Sequence, residues 1–585
     1  SKELAELNWF QNNPKKAKSY FKETFGNYFA QIEAYFPALS EQQKANFYTN
    51  TLRSTFEEFN SFAISYKDKD PDLLGDMYNY QLATKGLIMY ATAKARKNIF
   101  NSDDEDLKNK YQSWISTKEL IAQLFSMSEE EIAQQDMQLD SLISTSNQLE
   151  KELSRASSDF EEAFVAKNYN WKDVQNELKE NEAAIEMIRF RKFKPDSSGI
   201  FEDQINYAAL LIDKNSKQPQ LILFENGQEL ENKYIKNYRN SIKYKVKDQY
   251  SYQFYWKPIA NETKQYNKIY LSPDGIYNQI SINSLYNSIS EKYVLEEQNI
   301  QLVTNTKDLI AFNKDTKSKV ASAPSLFGFP NYNKGIMESK DGEEDIAEKI
   351  VENASLNRGL RGNLQRYIRG NSLVTALPGT KEEVNKINEL YSENASAKPN
   401  TYLENEADET QLKSVQNPKV LHIATHGFFL EDNESGTSES EEDKYSQNPL
   451  LKSGLIMAGA NSFISSGINE ANQQDGILTA YEAMNLNLND TELVVLSACE
   501  TGLGELKNGE GVYGLRRAFQ VAGADAIIMS LWSVDDEATQ ELMTTFYQNW
   551  IGGEDKLTAF NDAQKTIKEK YESPFYWGAF VMVGE

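Results

Sequence analysis

The residue pattern changes period once, near residue 200, and that single change limits the folds open to the chain. Before it, Pro and Gly are sparse and apolar residues recur at helical spacing. After it come short runs rich in β-branched and aromatic residues, several of them separated by helical segments. The pattern predicts an all-α region over 1–195 followed by α/β structure. A length of 585 residues allows roughly three or four domains with ample cores, and a softer boundary near 395 divides the latter part into 196–395 and 396–585.

Within the helical region, DPDLLGDMYNYQLATKGLIMY places Asp70 as a cap and Pro71 in a first turn, with Leu74, Met77, Tyr78 and Leu82 on one face. Leu139, Leu142, Ser146, Leu149, Leu153, Ala156, Phe160 and Ala163 follow a 3-4 alternation, which predicts one long packed helix with a single polar exception at Ser146. No strict repeat of roughly 34 residues is visible. Strands are predicted over 205–213, 219–227, 267–275 and 325–332. A helix is expected from Thr380, where Glu383 completes a capping-box signature. Between 431 and 443 the chain reads EDNESGTSESEED, an acidic run expected to be a solvated loop.

Composition removes several function classes. A net charge of −25 repels phosphate backbones, so nucleic acid is not an expected partner. No apolar run approaches the ~18 residues of a membrane span, and no secretory core opens the chain, so a cytoplasmic protein without a membrane partner is expected. Because the first residue is Ser1, further native sequence is expected ahead of it. One cysteine forms no internal disulfide and no thiolate zinc cluster. Two histidines leave few groups able to move protons near neutrality. No metal site and no cofactor is expected.

Gly509, Gly511 and Gly514 spell GxGxxG, yet Glu510 would face the pyrophosphate such a loop holds, so a tight turn before a helix is the better reading. His422 and His426 are four apart as in helical zinc sites, but they sit in a strand pattern that separates them by roughly 13 Å. GxSxG and Gly-Lys phosphate loops are absent from the sequence. Two strand ends remain. VLHIATHGFF runs out at His426-Gly427, and ELVVLSACETG runs out at Cys499. Ligands bind beyond the carboxyl ends of parallel strands, and a thiol needs a nearby base to become a nucleophile. A glycine after the histidine lets its N–H approach an oxyanion. From these patterns alone, a buried structural cysteine and a satisfied structural histidine remain open as well.

VLHIATHGFF, NPLLKSGLIMAGAN, DGILTAYEAMNL, ELVVLSACETGLGELKNGEGVYGLRRAFQVAGADAIIMSLWSVDDEAT and FYWGAFVMVG together resemble the CHAT domain family, caspase-like cysteine peptidases distantly similar to separase. The resemblance is tight over about 419–537 and looser back to about 265. It implies a caspase-like α/β protease domain with a non-catalytic α/β companion, behind a helical region of the kind that follows tetratricopeptide repeats. It aligns Cys499 with the nucleophile, His426 with the base, and Gly427 and Cys499 with the oxyanion-binding amides. His422 matches no family role. Ser530, Leu531, Trp532, Ser533 and Val534 fall where such proteins pair with substrate backbone, and Asp535 and Asp536 where separase-like relatives select a basic residue. The two aspartates equally fit the cap and first turn of a helix beginning near Glu537.

The resemblance further implies an intracellular cysteine endopeptidase cutting specific proteins in a bacterial defence or signalling pathway, a gasdermin-like pore-former among the expected substrates. An activating protein partner would dock on the N-terminal helices, and the 431–443 loop would occlude the cleft or be cut. A catalytically idle adaptor on the same scaffold is the alternative.

Overall fold

In the computed structural model, residues 1–126, 138–156, 169–195, 200–312, 322–336, 364, 373–394, 398–430, 448–466, 474–507 and 509–585 are described. Phe160, Ala163 and the 431–443 run lie outside them.

One eleven-stranded sheet organises the chain. Its strands are β1 (Glu182–Lys194), β2 (Ile200–Asp213), β3 (Gln220–Phe224), β4 (Lys268–Ser272), β5 (Ile300–Leu302), β6 (Ser325–Pro330), β7 (Asn400–Glu404), β8 (Val420–Ala424), β9 (Leu493–Ser497), β10 (Ala526–Ser530) and β11 (Phe580–Gly584). They lie in the order β3-β2-β1-β4-β5-β11-β10-β9-β8-β6-β7. β10, β9, β8, β6 and β7 are mutually parallel. β11 pairs antiparallel with β10 but parallel with β5, so polarity reverses there, as it also does between β1 and β2 and between β2 and β3. Companion and site-bearing halves therefore share a sheet.

The strands of the site-bearing half are continuous apolar runs because both faces are covered. Leu421, Ile423, Val494 and Leu496 pack to one side, and Val420, Leu493 and Val495 to the other. The second side carries α1 (Pro378–Asn394), α2 (Asp536–Ile551) and α3 (Lys556–Lys570). In the companion half, Ala184, Ile188, Ala208 and Leu210 pack against Phe21, Phe59, Phe62 and Tyr78 of the N-terminal helices. Those helices thus form an outer layer of the sheet.

Several local expectations are revised. Helix gives way to strand at Glu182 instead of near 195, since β1 pairs along its length with β2. Its charged Glu186 is buried because Lys85, from the helical layer, bonds it at 2.8 Å. The strand order also cuts across the 395 boundary: β6 and α1 precede it, yet β6 pairs with β8. Asp70 does not cap its helix, which runs Asp72–Thr84 behind Pro71; its carboxylate meets Lys18 at 2.7 Å. Leu74, Met77, Tyr78 and Leu82 are buried as the spacing predicts. The described part of the long helix is Leu139–Ala156, with Leu153 packed on Leu107, Tyr111 and Trp114. Helix α1 begins at Pro378, and Glu383 is no capping-box residue: it lies buried, 2.9 Å from His422 Nε2.

Among the described residues, no helix is long and apolar enough to cross a membrane, and no group of three or more His, Cys, Asp or Glu is placed to hold a metal.

Candidate active site

The parallel pairing of β8 with β9 sets the site. Ala424 is opposite Ser497, so His426 and Cys499 each lie two residues beyond a paired position, at one carboxyl edge of the sheet. His426 opens a short strand, His426–Phe429, which pairs antiparallel with Ser453–Ile456. The turn before it is fastened by Thr425, whose hydroxyl bonds the Ile456 carbonyl and meets Tyr332 Oη at 3.0 Å.

The imidazole is oriented by a group that sequence reading does not reveal. Its Nε2–H donates to the Thr375 carbonyl oxygen at 2.8 Å. A carbonyl only accepts, so Nε2 carries the hydrogen and, in the neutral ring, Nδ1 keeps its lone pair. The Tyr332 ring lies 5.5 Å from the imidazole. Burial holds the His426 pKa below its ordinary value, against the opposing pull of the Thr375 carbonyl and the Asp536 charge.

Cys499 sits in a sharp turn. Glu500, the next residue, has φ 58°, in the left-handed region that non-glycine residues rarely occupy. Burial pushes the Cys499 thiol up; Glu500 and Asp536 add to the rise, while the Val534 N–H and the Ser533 hydroxyl oppose it. The Val534 N–H points at Sγ from 3.5 Å. Gly427 is demanded by close approach. A Cβ there would lie 2.5 Å from the Cys499 carbonyl oxygen.

The segment expected to meet substrate divides in two. Ser530 and Leu531 are buried and already engaged, which removes them from a cleft-lining role. Ser530 takes the Gly502 N–H on its carbonyl at 2.7 Å and gives its own N–H to Thr501 Oγ1 at 3.0 Å. The Leu531 N–H goes to Ala579 O. Trp532 is half-buried and donates Nε1–H to Phe575 O, whereas Ser533 is exposed and, with Val534, reaches the thiol. Asp535 caps α2 by accepting from the Ala538 N–H at 3.0 Å. Asp536 accepts from the Gly379 N–H at 2.8 Å.

The remaining motif residues are structural. His422 is fully buried on the far face, with Tyr547 Oη at 3.2 Å from Nδ1 and Glu383 against Nε2. Gly509 and Gly511 hold positive φ around a tight hairpin, and Glu510 bonds Arg517 at 3.1 Å and the Ile88 N–H, so no anion is cradled there.

The profile of the CHAT domain family matches residues 251–585, more than half of the chain. The chain belongs to that family. The CHAT match begins among the companion strands and includes every residue of the site described above. Among curated proteins, tetratricopeptide repeat protein 28 of Mus musculus is 23% identical over 184 residues, 30% of this chain and 7% of that one. Its Homo sapiens counterpart is 24% identical over 184 residues, with the same shares. This CHAT protein therefore spans a small part of the length of the relatives it matches. Among solved structures, the Arg-specific cysteine proteinase gingipain R aligns at a TM-score of 0.32 and 10% identity, over 60% of this chain and 75% of that one. The separase–securin complex of Saccharomyces cerevisiae aligns at 0.29 and 11%, over 82% and 27%.

Proposed function

We propose that this CHAT protein is a cysteine endopeptidase in which His426 takes the thiol proton of Cys499 and the sulfur attacks a scissile carbonyl. The reading rests on one observation above the rest. The Thr375 carbonyl claims Nε2–H, so the nitrogen left as a base is fixed on a ring that shares a strand edge with the chain's sole cysteine. The amides of Gly427 and Cys499 hold the developing oxyanion. The C–N bond breaks as His426 returns the proton to the leaving amine, and water then hydrolyses the thioester to free Cys499. Trp532, Ser533 and Val534 are the segment offered to substrate backbone. The reading extends to specific protein substrates in a bacterial defence pathway, as the family resemblance implies.

Mapping new protein N-termini in cells with wild type against Cys499→Ala tests this, together with labelling by a thiol-reactive peptidyl probe. Wild-type-specific termini and probe adducts on Cys499 are expected. An unlabelled wild type, with no termini of its own, leaves the adaptor reading instead.

Because burial raises the thiol and lowers the imidazole, both shifts favour neutral forms, and at pH 7 the resting pair is thiol and imidazole. Iodoacetamide alkylation of Cys499 is therefore expected to rise with a midpoint above the roughly 8.5 of an ordinary thiol. Loss of activity on acidification is expected below about pH 6.5, where His426 protonates. An alkylation midpoint under pH 7 would mean a pre-formed thiolate.

Gly427→Ala forces apart the His426 strand and the Cys499 turn, given the 2.5 Å approach. Turnover is expected to fall about 10²-fold, with little change in circular dichroism.

A further inference from the structure

The carbonyl that orients His426 belongs to a stretch held at both ends by side chains outside the pair. We propose that Asn461 and Asp536 are positioning residues: they fix the backbone of 374–379 so that the Thr375 oxygen meets the imidazole. The inference rests on the reading of His426 as the base.

At one end, the buried amide of Asn461 spans a single residue. It accepts from the Val374 N–H at 2.8 Å and donates to the Val374 carbonyl at 2.9 Å. Thr375 is the next residue. Asn461 is itself held, because its Nδ2 also donates to Asn333 Oδ1 at 2.7 Å and its backbone N–H to Tyr332 O. At the other end, Asp536 Oδ2 accepts from Gly379 at 2.8 Å, and a Cβ on Gly379 would lie 2.5 Å from the Asp536 carboxyl carbon. Glycine at 379 is thus what admits the carboxylate. Two clamps five residues apart, at Val374 and Gly379, leave the chain between them little slack, and Thr375 O lies between them. Neither clamp needs to touch substrate to act, since each works through one backbone oxygen. The Asp536 charge also bears on His426 and Cys499 directly, which a conservative variant separates from its bonding role.

The test uses the full chain and reads both turnover and the His426 tautomer by nitrogen-15 NMR of labelled histidine, assigned with His426→Ala; only two imidazoles are present. In wild type, His426 is expected as the Nε2–H form. Asn461→Ala and Asp536→Ala are expected to give mixed tautomers and to lower kcat about tenfold or more, with KM within about twofold. Asp536→Asn keeps an acceptor for Gly379, so it is expected to retain the Nε2–H tautomer and to lose less kcat than Asp536→Ala, with the lost charge read as a displaced pH profile. Combined with His426→Ala, Asn461→Ala is expected to cause no further loss. The proposal is overturned by a pure Nε2–H tautomer in both alanine variants, by Asp536→Asn behaving like Asp536→Ala, or by a further loss in the His426→Ala background. Should an alanine variant fail to fold, Asp536→Asn and the wild-type tautomer still decide: an Nδ1–H imidazole in wild type refutes the orientation itself. If Cys499→Ala retains full turnover, it is the peptidase reading that fails.

Discussion

His426→Ala is expected to lower peptide hydrolysis about 10²- to 10⁴-fold, the usual range for removing a positioned base. Cys499→Ala is expected to reach background, since no other thiol is present to take over. The two losses should not add, because a thiol without its base and a base without its thiol disable the same step. The buried, raised thiol makes the base matter more than it would beside a pre-formed thiolate. Raising the pH should accordingly restore part of the His426→Ala rate, as hydroxide deprotonates Cys499, and should restore nothing to Cys499→Ala. Rates measured on one fluorogenic peptide from pH 6 to pH 10 check this. A His426→Ala variant that keeps wild-type turnover at pH 7 removes His426 from the chemistry.

Arg96→Ala is expected to cost about 3–5 kcal/mol of stability, read as a lower urea midpoint. Arg96 belongs to the helix Leu87–Phe100 yet lies buried against the other half of the molecule, with 3% of its surface exposed. Its guanidinium donates to the carbonyls of Met484, Asn485, Leu486 and Val521, and to Tyr111 Oη at 2.7 Å. Those carbonyls close two helices, Ala480–Ala483 and Leu515–Ala522, whose C-terminal ends favour a cation. Truncation strands several buried acceptors at once. Arg96→Lys keeps the charge without the planar fork and is expected to recover only part of the loss. A cost under about 0.5 kcal/mol would show that these acceptors find other donors.

The parts of the site legible in the sequence are those written in side chains and strand periodicity. VLHIA and LVVLS read as strands because both faces are covered, and their ends placed His426 and Cys499 at one edge. The Thr375 contribution was not legible, because a carbonyl oxygen is common to every residue and only the fold aims this one. Glu383 misled for a related reason. Three residues after a threonine it looks like a cap, and only the packing of α1 on β8 turns it toward His422. Strand β1 hid behind Glu186, Arg189 and Arg191, charges that a half-buried strand rarely carries unless partners such as Lys85 and Glu231 arrive from distant segments. The burial of Ser530 and Leu531 was not legible either, since it depends on β11, fifty residues on.

That strand has a consequence for how the molecule is made. Phe580–Gly584 lies between β5 and β10, in the middle of the sheet, although it is the last of the eleven strands to be synthesised. A nascent chain that has completed everything before it still presents unpaired edges at β5 and β10, and the sheet stays split between them. Closure demands pairing Val583 with Leu302, a very distant partner in sequence and therefore a slow one to find. Ser530, whose hydroxyl bonds the Ala498 carbonyl, pairs with Phe580, so the turn that bears Cys499 acquires its final support only at that last step. Synthesis order alone thus delays the assembly of the Cys499 turn until β11 has been made.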